Sequence, residues 1–187
     1  SHPLALEWLR QCPYVVCCDG AANTYIRSGR MPEAIVGDGD SLLPDIKERY
    51  ASLIHSEAEQ ETNDLSKAFR FCLSQERKRI TIMGATGKRE DHTIGNVSLL
   101  ADYMEQAEVS MMTDYGIFVP IREDSMFESY IGQQISVFNM NSTALSAEGL
   151  AYPLSVFTNW WQGTLNEALA RHFIIRTEGK VLVFRVF

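Results

Sequence analysis

The stretch Tyr14-Val15-Val16-Cys17-Cys18-Asp19-Gly20-Ala21-Ala22-Asn23 decides how the first half of this chain is read. Residues 14–18 are a short, near-continuous apolar run, the pattern of a strand covered on both faces. The small residues that follow let backbone pass close to a ligand, and they open a helix over residues 22–28 that Gly29 stops. The unit then repeats. Apolar runs at residues 34–36, 52–55, 80–83 and 109–112 read as further strands, and residues 43–51, 64–75 and 92–104 read as helices. Strand, loop and helix in alternation predict an α/β domain with a parallel sheet. Ligands of such sheets sit at the carboxyl ends of the strands, so the residues after each run are the ones to read for chemistry.

After Asp114-Tyr115-Gly116 the texture changes. Residues 116–121, 125–128, 134–138, 144–148 and 180–187 are short, β-prone and separated by turns, and only residues 166–172 hint at helix. The expected organisation is an α/β parallel-sheet domain over residues 1–115 and a small antiparallel β-sandwich over residues 116–187. No Pro/Gly/Ser linker, internal repeat or low-complexity tract interrupts it. The chain opens at Ser1-His2-Pro3 without Met, so a front segment is expected to be missing.

Of the 187 residues, 45% are hydrophobic and 22% charged, a balance that excludes wholesale disorder. No apolar run approaches the roughly 18 residues of a membrane helix, and no signal-peptide pattern is seen. A net charge of −7 argues against nucleic acid as the main partner. Cys12, Cys17, Cys18 and Cys72 lack C-x-x-C spacing and read as free thiols of a cytoplasmic protein.

Four polar clusters follow the predicted strands. Asp19 to Asn23 is either a ligand-facing turn or a plain strand-to-helix turn capped by Asp19. Gly37-Asp38-Gly39-Asp40-Ser41 presents two carboxylates two residues apart, suited to Mg²⁺, or else a turn in which Asp40 or Ser41 caps the next helix. An EF-hand is excluded, because Leu43 and Arg49 stand where Gly and Glu are required. Gln60 to Lys67 offers Thr62 or Asn63 as a cap, or Asp64 as a third metal carboxylate with Lys67 as a phosphate contact. Gly84-Ala85-Thr86-Gly87-Lys88-Arg89-Glu90-Asp91-His92 fails as a Walker A motif, with Ile82 and Arg89 at the mismatched positions. It remains a glycine-containing strand-to-helix loop with two cations, suited to a polyphosphate, and Asn96 lies on the helix beyond it. Trp160-Trp161 are either an aromatic face for a ligand or core.

In this order the clusters resemble thiamin pyrophosphokinase, whose family pattern runs D-G-(G/A)-A-N, G-D-x-D-S, a Gln before T-D, then G-x-T-G-x-R-x-D-H with a downstream Asn. The resemblance implies a Mg²⁺-dependent homodimer that moves the β,γ-diphosphate of ATP to the hydroxyethyl group of thiamin, releasing AMP. It implies that Asp38, Asp40 and Asp64 hold Mg²⁺, that Lys67 and Arg89 stabilise charge, and that Asp91 orients Arg89 or contacts substrate. Asp19, Asn23, Lys67, Gly84, Thr86, Gly87, His92 and Asn96 then line the nucleotide, while Gln60, Trp161 and Asn166 face thiamin. Asp38 and Asp40 both stand as general-base candidates. The chain departs from the pattern at Lys88, which replaces a Gly, and at Leu165-Asn166, which replaces Ser-Asn. The rival readings are a pyrophosphokinase for another small alcohol, such as a pterin, and a nucleotide-sensing module without catalysis.

Overall fold

The structure is a computed structural model that describes residues 2–57 and 61–187. The chain packs as two compact units, residues 6–80 and residues 81–187 with 1–5. Helix α1, Pro3–Gln11, opens the chain and lies outside the expected elements.

In the unit of residues 6–80, β1 (Val16–Cys18), β2 (Ala34–Gly37) and β3 (Ile54–Ser56) form a parallel sheet in that order. Helices α2 (Ala21–Arg27), α3 (Pro44–Arg49) and α4 (Asp64–Ser74) cover it. The central strand alternates between two cores. Ile35 packs with Cys17, Ala22, Leu42 and Ile46, whereas Ala34 and Val36 pack with Ala68 and Phe71. Both faces of β2 are thus covered, as its unbroken apolar run requires. Burying Ile35 alone contributes about 1.5–3 kcal/mol. Asn63 caps α4 by accepting from Ser66 N at 2.9 Å.

In the other unit, which begins within β4 (Arg79–Met83) at Thr81, helices α5 (Glu90–Ser98) and α6 (Leu100–Tyr103) and β5 (Glu108–Met112) precede β6 (Gly116–Ile121), β7 (Ser125–Glu128), β8 (Gln134–Asn139) and β9 (Leu145–Glu148). Strands β10 (Asn166–Glu167), β11 (His172–Thr177) and β12 (Val181–Val186) complete it. One sheet runs β10-β8-β12-β6-β5-β4 and the other β7-β11-β9. Ile135, Val137, Phe173, Ile175, Val181 and Val183 fill the space between them. They alternate along their strands, so each strand gives one face to this core.

Two expectations are corrected. Residues 80–83 and 109–112 were expected in the parallel sheet, but β4 and β5 belong to the six-stranded one. The turn after β5 is the cause. Thr113 N and Oγ1 donate to Gly116 O at 2.8 and 3.1 Å, and the tight reversal pairs Met111 with Phe118 and Met112 with Ile117. Residues 166–172 are not helical. Leu165 takes φ +62°, Asn166 pairs with Ile135, and Ala168 bridges to Leu150. Local helix propensity yields there to sheet pairing.

Candidate active site

Strands β1 and β2 are in parallel register, Cys18 opposite Val36, so the residues that leave their carboxyl ends emerge side by side. Asp19 N donates to Val36 O at 2.9 Å. The approach is so close that a Cβ on Gly37 would lie 2.8 Å from the Asp19 Cβ, and Gly37 has φ +152°. Only glycine suits that position. The outcome is a convergence of three carboxylates: an oxygen each of Asp19, Asp38 and Asp40 lie within 4.8 Å of one another. Asp38 and Asp40 are exposed, and Asp19 is 3% exposed.

None of the three caps a helix. The α2 N-cap is Gly20 and the α3 N-cap is Leu43, both without side-chain bonds, and Pro44 begins α3. The carboxylates serve the loop instead. Asp38 Oδ1 accepts from Asp40 N at 3.1 Å, Asp19 Oδ2 from Ser41 N at 3.1 Å, and Asp40 Oδ1 from Ser41 Oγ at 2.9 Å. Burial pushes the Asp19 carboxyl above the usual carboxylate range; bonds from Ser41 pull it back, while Asp40 and the charge of Asp64 push it up. Bonding to the Ser41 hydroxyl, then to Asp19, holds Asp40 below that range.

Asp19 decides whether this site suits a hard divalent cation. Its Oδ1 is buried without a hydrogen-bond partner among the described residues. A buried, unpaired carboxylate oxygen beside two more carboxylates fits a cation that takes oxygen ligands. Sequence reading gave Asp19 a nucleotide contact; the parallel register places it among the metal-type carboxylates.

Asn23, expected to contact nucleotide, bonds the neighbouring loop. Its Nδ2 donates to Ser41 O at 2.8 Å and its Oδ1 accepts from Leu43 N at 3.0 Å, so both ends of the amide hold the loop. Lys47, which sequence reading missed, donates from Nζ to Gly39 O at 2.9 Å. Asp64 lies outside the group of three and accepts from Lys67 Nζ at 3.3 Å. Lys67 is buried. Gln60 lies outside the described residues. Behind the site, burial first and nearby carboxylates second push the Cys18 thiol to about 12, and burial pushes Cys17 to about 11.

The second loop, residues 84–89, is built differently. Gly84 and Gly87 have φ +71° and +87°, and a Cβ on either would meet nothing within 4 Å. Thr86 is half-buried between them. Arg89 Nε and Nη2 donate to Asp91 at 3.1 and 2.6 Å, a fork that fixes the guanidinium plane. That bond, foremost, holds the exposed Asp91 carboxyl below the usual range. Asp91 also accepts from His92 N at 2.9 Å, and Asn96 Nδ2 donates to Ala85 O at 2.9 Å, tying the loop to α5.

In the β-rich unit the thiamin-facing expectation divides. Trp161 is 74% exposed, the most open tryptophan in this unit. Trp160 stands edge-on to Phe138, centroids 6.1 Å apart, and closes a cavity of about 110 Å³ with Ile94, Val97, Phe118 and Leu182. Asn166 is the other residue of this unit expected to face thiamin. It is buried, its Oδ1 accepts from Tyr152 N and Glu167 N, and its Nδ2 donates to Tyr152 O, so its amide fastens backbone.

Residues 5–112 match the family model of the thiamin pyrophosphokinase catalytic domain, and residues 116–184 match that of the thiamin pyrophosphokinase substrate-binding domain. The chain belongs to the thiamin pyrophosphokinase family. It is 30% identical over 129 residues to thiamine pyrophosphokinase 1 of Oryza sativa subsp. japonica, a match that covers 56% of this chain and 49% of that protein. Thiamine pyrophosphokinase of Bacillus subtilis is 34% identical over 86 residues, covering 44% and 40%. The matches thus span about half the length of these curated relatives or less. The crystal structure of Bacillus subtilis thiamine pyrophosphokinase superposes with a TM-score of 0.80 at 21% identity, covering 92% of this chain and 87% of that one. Candida albicans thiamin pyrophosphokinase gives 0.79 at 20% identity, covering 100% and 86%. At such identity these two likenesses establish the fold. All three convergent carboxylates and the whole 84–89 loop fall inside the thiamin pyrophosphokinase catalytic-domain match, while Trp161 and Asn166 fall inside the substrate-binding match.

Proposed function

We propose that this chain transfers the diphosphate of ATP to the hydroxyl of thiamin, giving thiamin diphosphate and AMP. The observation that carries the reading is the convergence of Asp19, Asp38 and Asp40 around a buried carboxylate oxygen that has no partner among the described residues. Family membership supplies the reaction class. In the reaction the thiamin hydroxyl oxygen bonds to the β-phosphorus, the bond from that phosphorus to the AMP oxygen breaks, and the hydroxyl proton is released.

Asp19, Asp38 and Asp40 would hold Mg²⁺, with Asp64 as a further carboxylate whose charge is felt at Asp19. When bound, Mg²⁺ offsets phosphate charge and orients the triphosphate. The chain's own part is positioning. Arg89, its plane fixed by Asp91, presents its remaining N–H donors to phosphate oxygens. Gly84, Thr86 and Gly87 keep the loop open enough for phosphate to reach backbone N–H groups. Lys67 remains a phosphate contact within reach of Asp64, and His92 sits exposed at the start of α5 as a nucleotide contact. Trp161 offers an uncovered ring for the thiamin rings, which stack and attract through cation–π contact.

The reading extends to a homodimer in a reducing cytoplasm. Ile131, Tyr152, Leu165 and Leu169 are exposed apolar side chains on the β-rich unit, suited to an isologous contact. The four cysteines are free thiols, and no described helix is long and apolar enough to cross a membrane.

The test is product analysis with ATP, Mg²⁺ and thiamin. AMP and thiamin diphosphate in equal amounts are expected. ADP with a monophosphate ester overturns the reaction class, and turnover with a pterin but not thiamin overturns the acceptor. Sedimentation of the same sample tests the dimer.

A further inference from the structure

The loop that carries Asp38 and Asp40 is secured peptide by peptide from outside itself. The Gly39 carbonyl accepts from Lys47 Nζ at 2.9 Å. The Ser41 carbonyl and the Leu43 N–H are bridged by the Asn23 amide at 2.8 and 3.0 Å. Lys47 and Asn23 come from α3 and α2, the two helices that follow β2 and β1. The loop needs such support. Gly37 and Gly39 both take positive φ, 152° and 74°, and a glycine-rich segment has the most backbone freedom to lose on ordering.

Lys47 is placed to do this without competing for the carboxylates. Its ammonium donates to the peptide carbonyl of Gly39, which stands between Asp38 and Asp40. The Gly39 α-carbon region packs against the end of the lysine, with a built Cβ 3.4 Å from Nζ and 3.5 Å from Cε. The backbone between Asp38 and Asp40 is pinned, and Asp19 Oδ1 is left without a partner among the described residues.

We propose that Lys47 and Asn23 are positioning residues that hold residues 39–43 in the shape in which Asp19, Asp38 and Asp40 receive a divalent cation. This rests on the reading that those three carboxylates form the metal site. Groups that orient metal ligands are worth roughly 10–100-fold in metal affinity. Asn23 gives the cleaner sign, because its removal changes no charge. Removing the Lys47 charge by itself would tighten cation binding, so weaker binding in a Lys47 variant reports the lost bond to Gly39.

The experiment titrates Mn²⁺ alone into the full chain and reads free Mn²⁺ by electron paramagnetic resonance, with circular dichroism melting of the metal-free samples alongside. Wild type is expected to bind saturably and Asp38→Asn to lose that binding. Asn23→Ala and Lys47→Met are expected to weaken binding by about tenfold. Lys47→Arg, which keeps a cationic donor, is expected to recover most of it. Lys47 is on the exposed face of α3, so its variants test the idea even where Asn23→Ala melts early. Wild-type affinity in folded Lys47→Met and Asn23→Ala overturns the positioning role while leaving the metal site standing. Tighter binding in Lys47→Met overturns the role of Lys47 in favour of a charge effect, and failure of Lys47→Arg to recover binding does so in favour of simple packing. Absence of saturable Mn²⁺ binding to wild type, with Asp38→Asn indistinguishable from it, overturns the metal reading and the positioning role together.

Discussion

The two glycine-bearing loops of this protein, residues 37–43 and residues 84–89, follow strands and precede helices, yet they are held in opposite ways. In the first, a Cβ at Gly37 would strike Asp19, and side chains from α2 and α3 bond the peptides at Gly39, Ser41 and Leu43. In the second, Gly84 and Gly87 face open space, and Asn96 to Ala85 is the side-chain tie described above. The difference matches the ligands proposed for them. A small cation needs its oxygens fixed within a few tenths of an ångström, so its loop is preorganised. A triphosphate is long and many-toothed, so its loop offers donors and room.

The comparison breaks most readily at the carboxylates. Asp40→Asn is expected to lower AMP formation roughly 100- to 1000-fold with the fold retained, since charge stabilisation of that size resides in single well-placed groups. Near-normal turnover would mean that the rigid loop is merely structural.

Next is the contrast in glycine tolerance. Gly37→Ala combines left-handed strain with a 2.8 Å clash and is expected to lose about 2–4 kcal/mol in urea unfolding. Gly87→Ala meets only the strain and is expected to lose about 1–2 kcal/mol. Equal losses would erase the distinction between the loops.

A smaller effect sharpens the account of Asp19. Its carboxyl is raised in the fold, chiefly by burial, so the native state favours the protonated form. The resulting stability is fully present below the unfolded pKa and is lost as pH rises through the folded one. Metal-free Asp19→Asn is therefore expected to melt above wild type at neutral pH, with the gap closing as pH falls, while Mn²⁺ binding disappears. Asp38, Asp40 and Asp64 remain in both proteins, so the difference belongs to Asp19 together with its coupling to Asp40. A gap that widens on acidification would overturn this.

The smallest change in stability belongs to Trp161→Ala, within about 0.5 kcal/mol of wild type because the ring is exposed. The KM for thiamin is expected to rise about 2- to 30-fold, the equivalent of roughly 0.5–2 kcal/mol of cation–π contact. An unchanged KM would move attention to Trp160 and the cavity it closes.

Much of the site was legible because its motifs are local. Asp19, Asp38 and Asp40 stand directly after apolar runs, and that placement alone puts them at strand ends. The roles of Asn23 and Asn166 were not legible, since an amide reads the same whether it meets a ligand or a backbone peptide. Lys47 carries no motif at all; only the return of α3 over the loop brings it to Gly39.

The sequence by itself determined the covered β2 with its neighbours β1 and β3, the turn-separated strands after Gly116, and the family pattern, because each is written in neighbouring residues. The tertiary structure alone decided that β4 and β5 join the six-stranded sheet and that Asp19 becomes the third convergent carboxylate. It also decided which amides are occupied by backbone. An apolar run shows that a strand is covered without naming its neighbour, and a carboxylate becomes a ligand only when strand register sets it beside others.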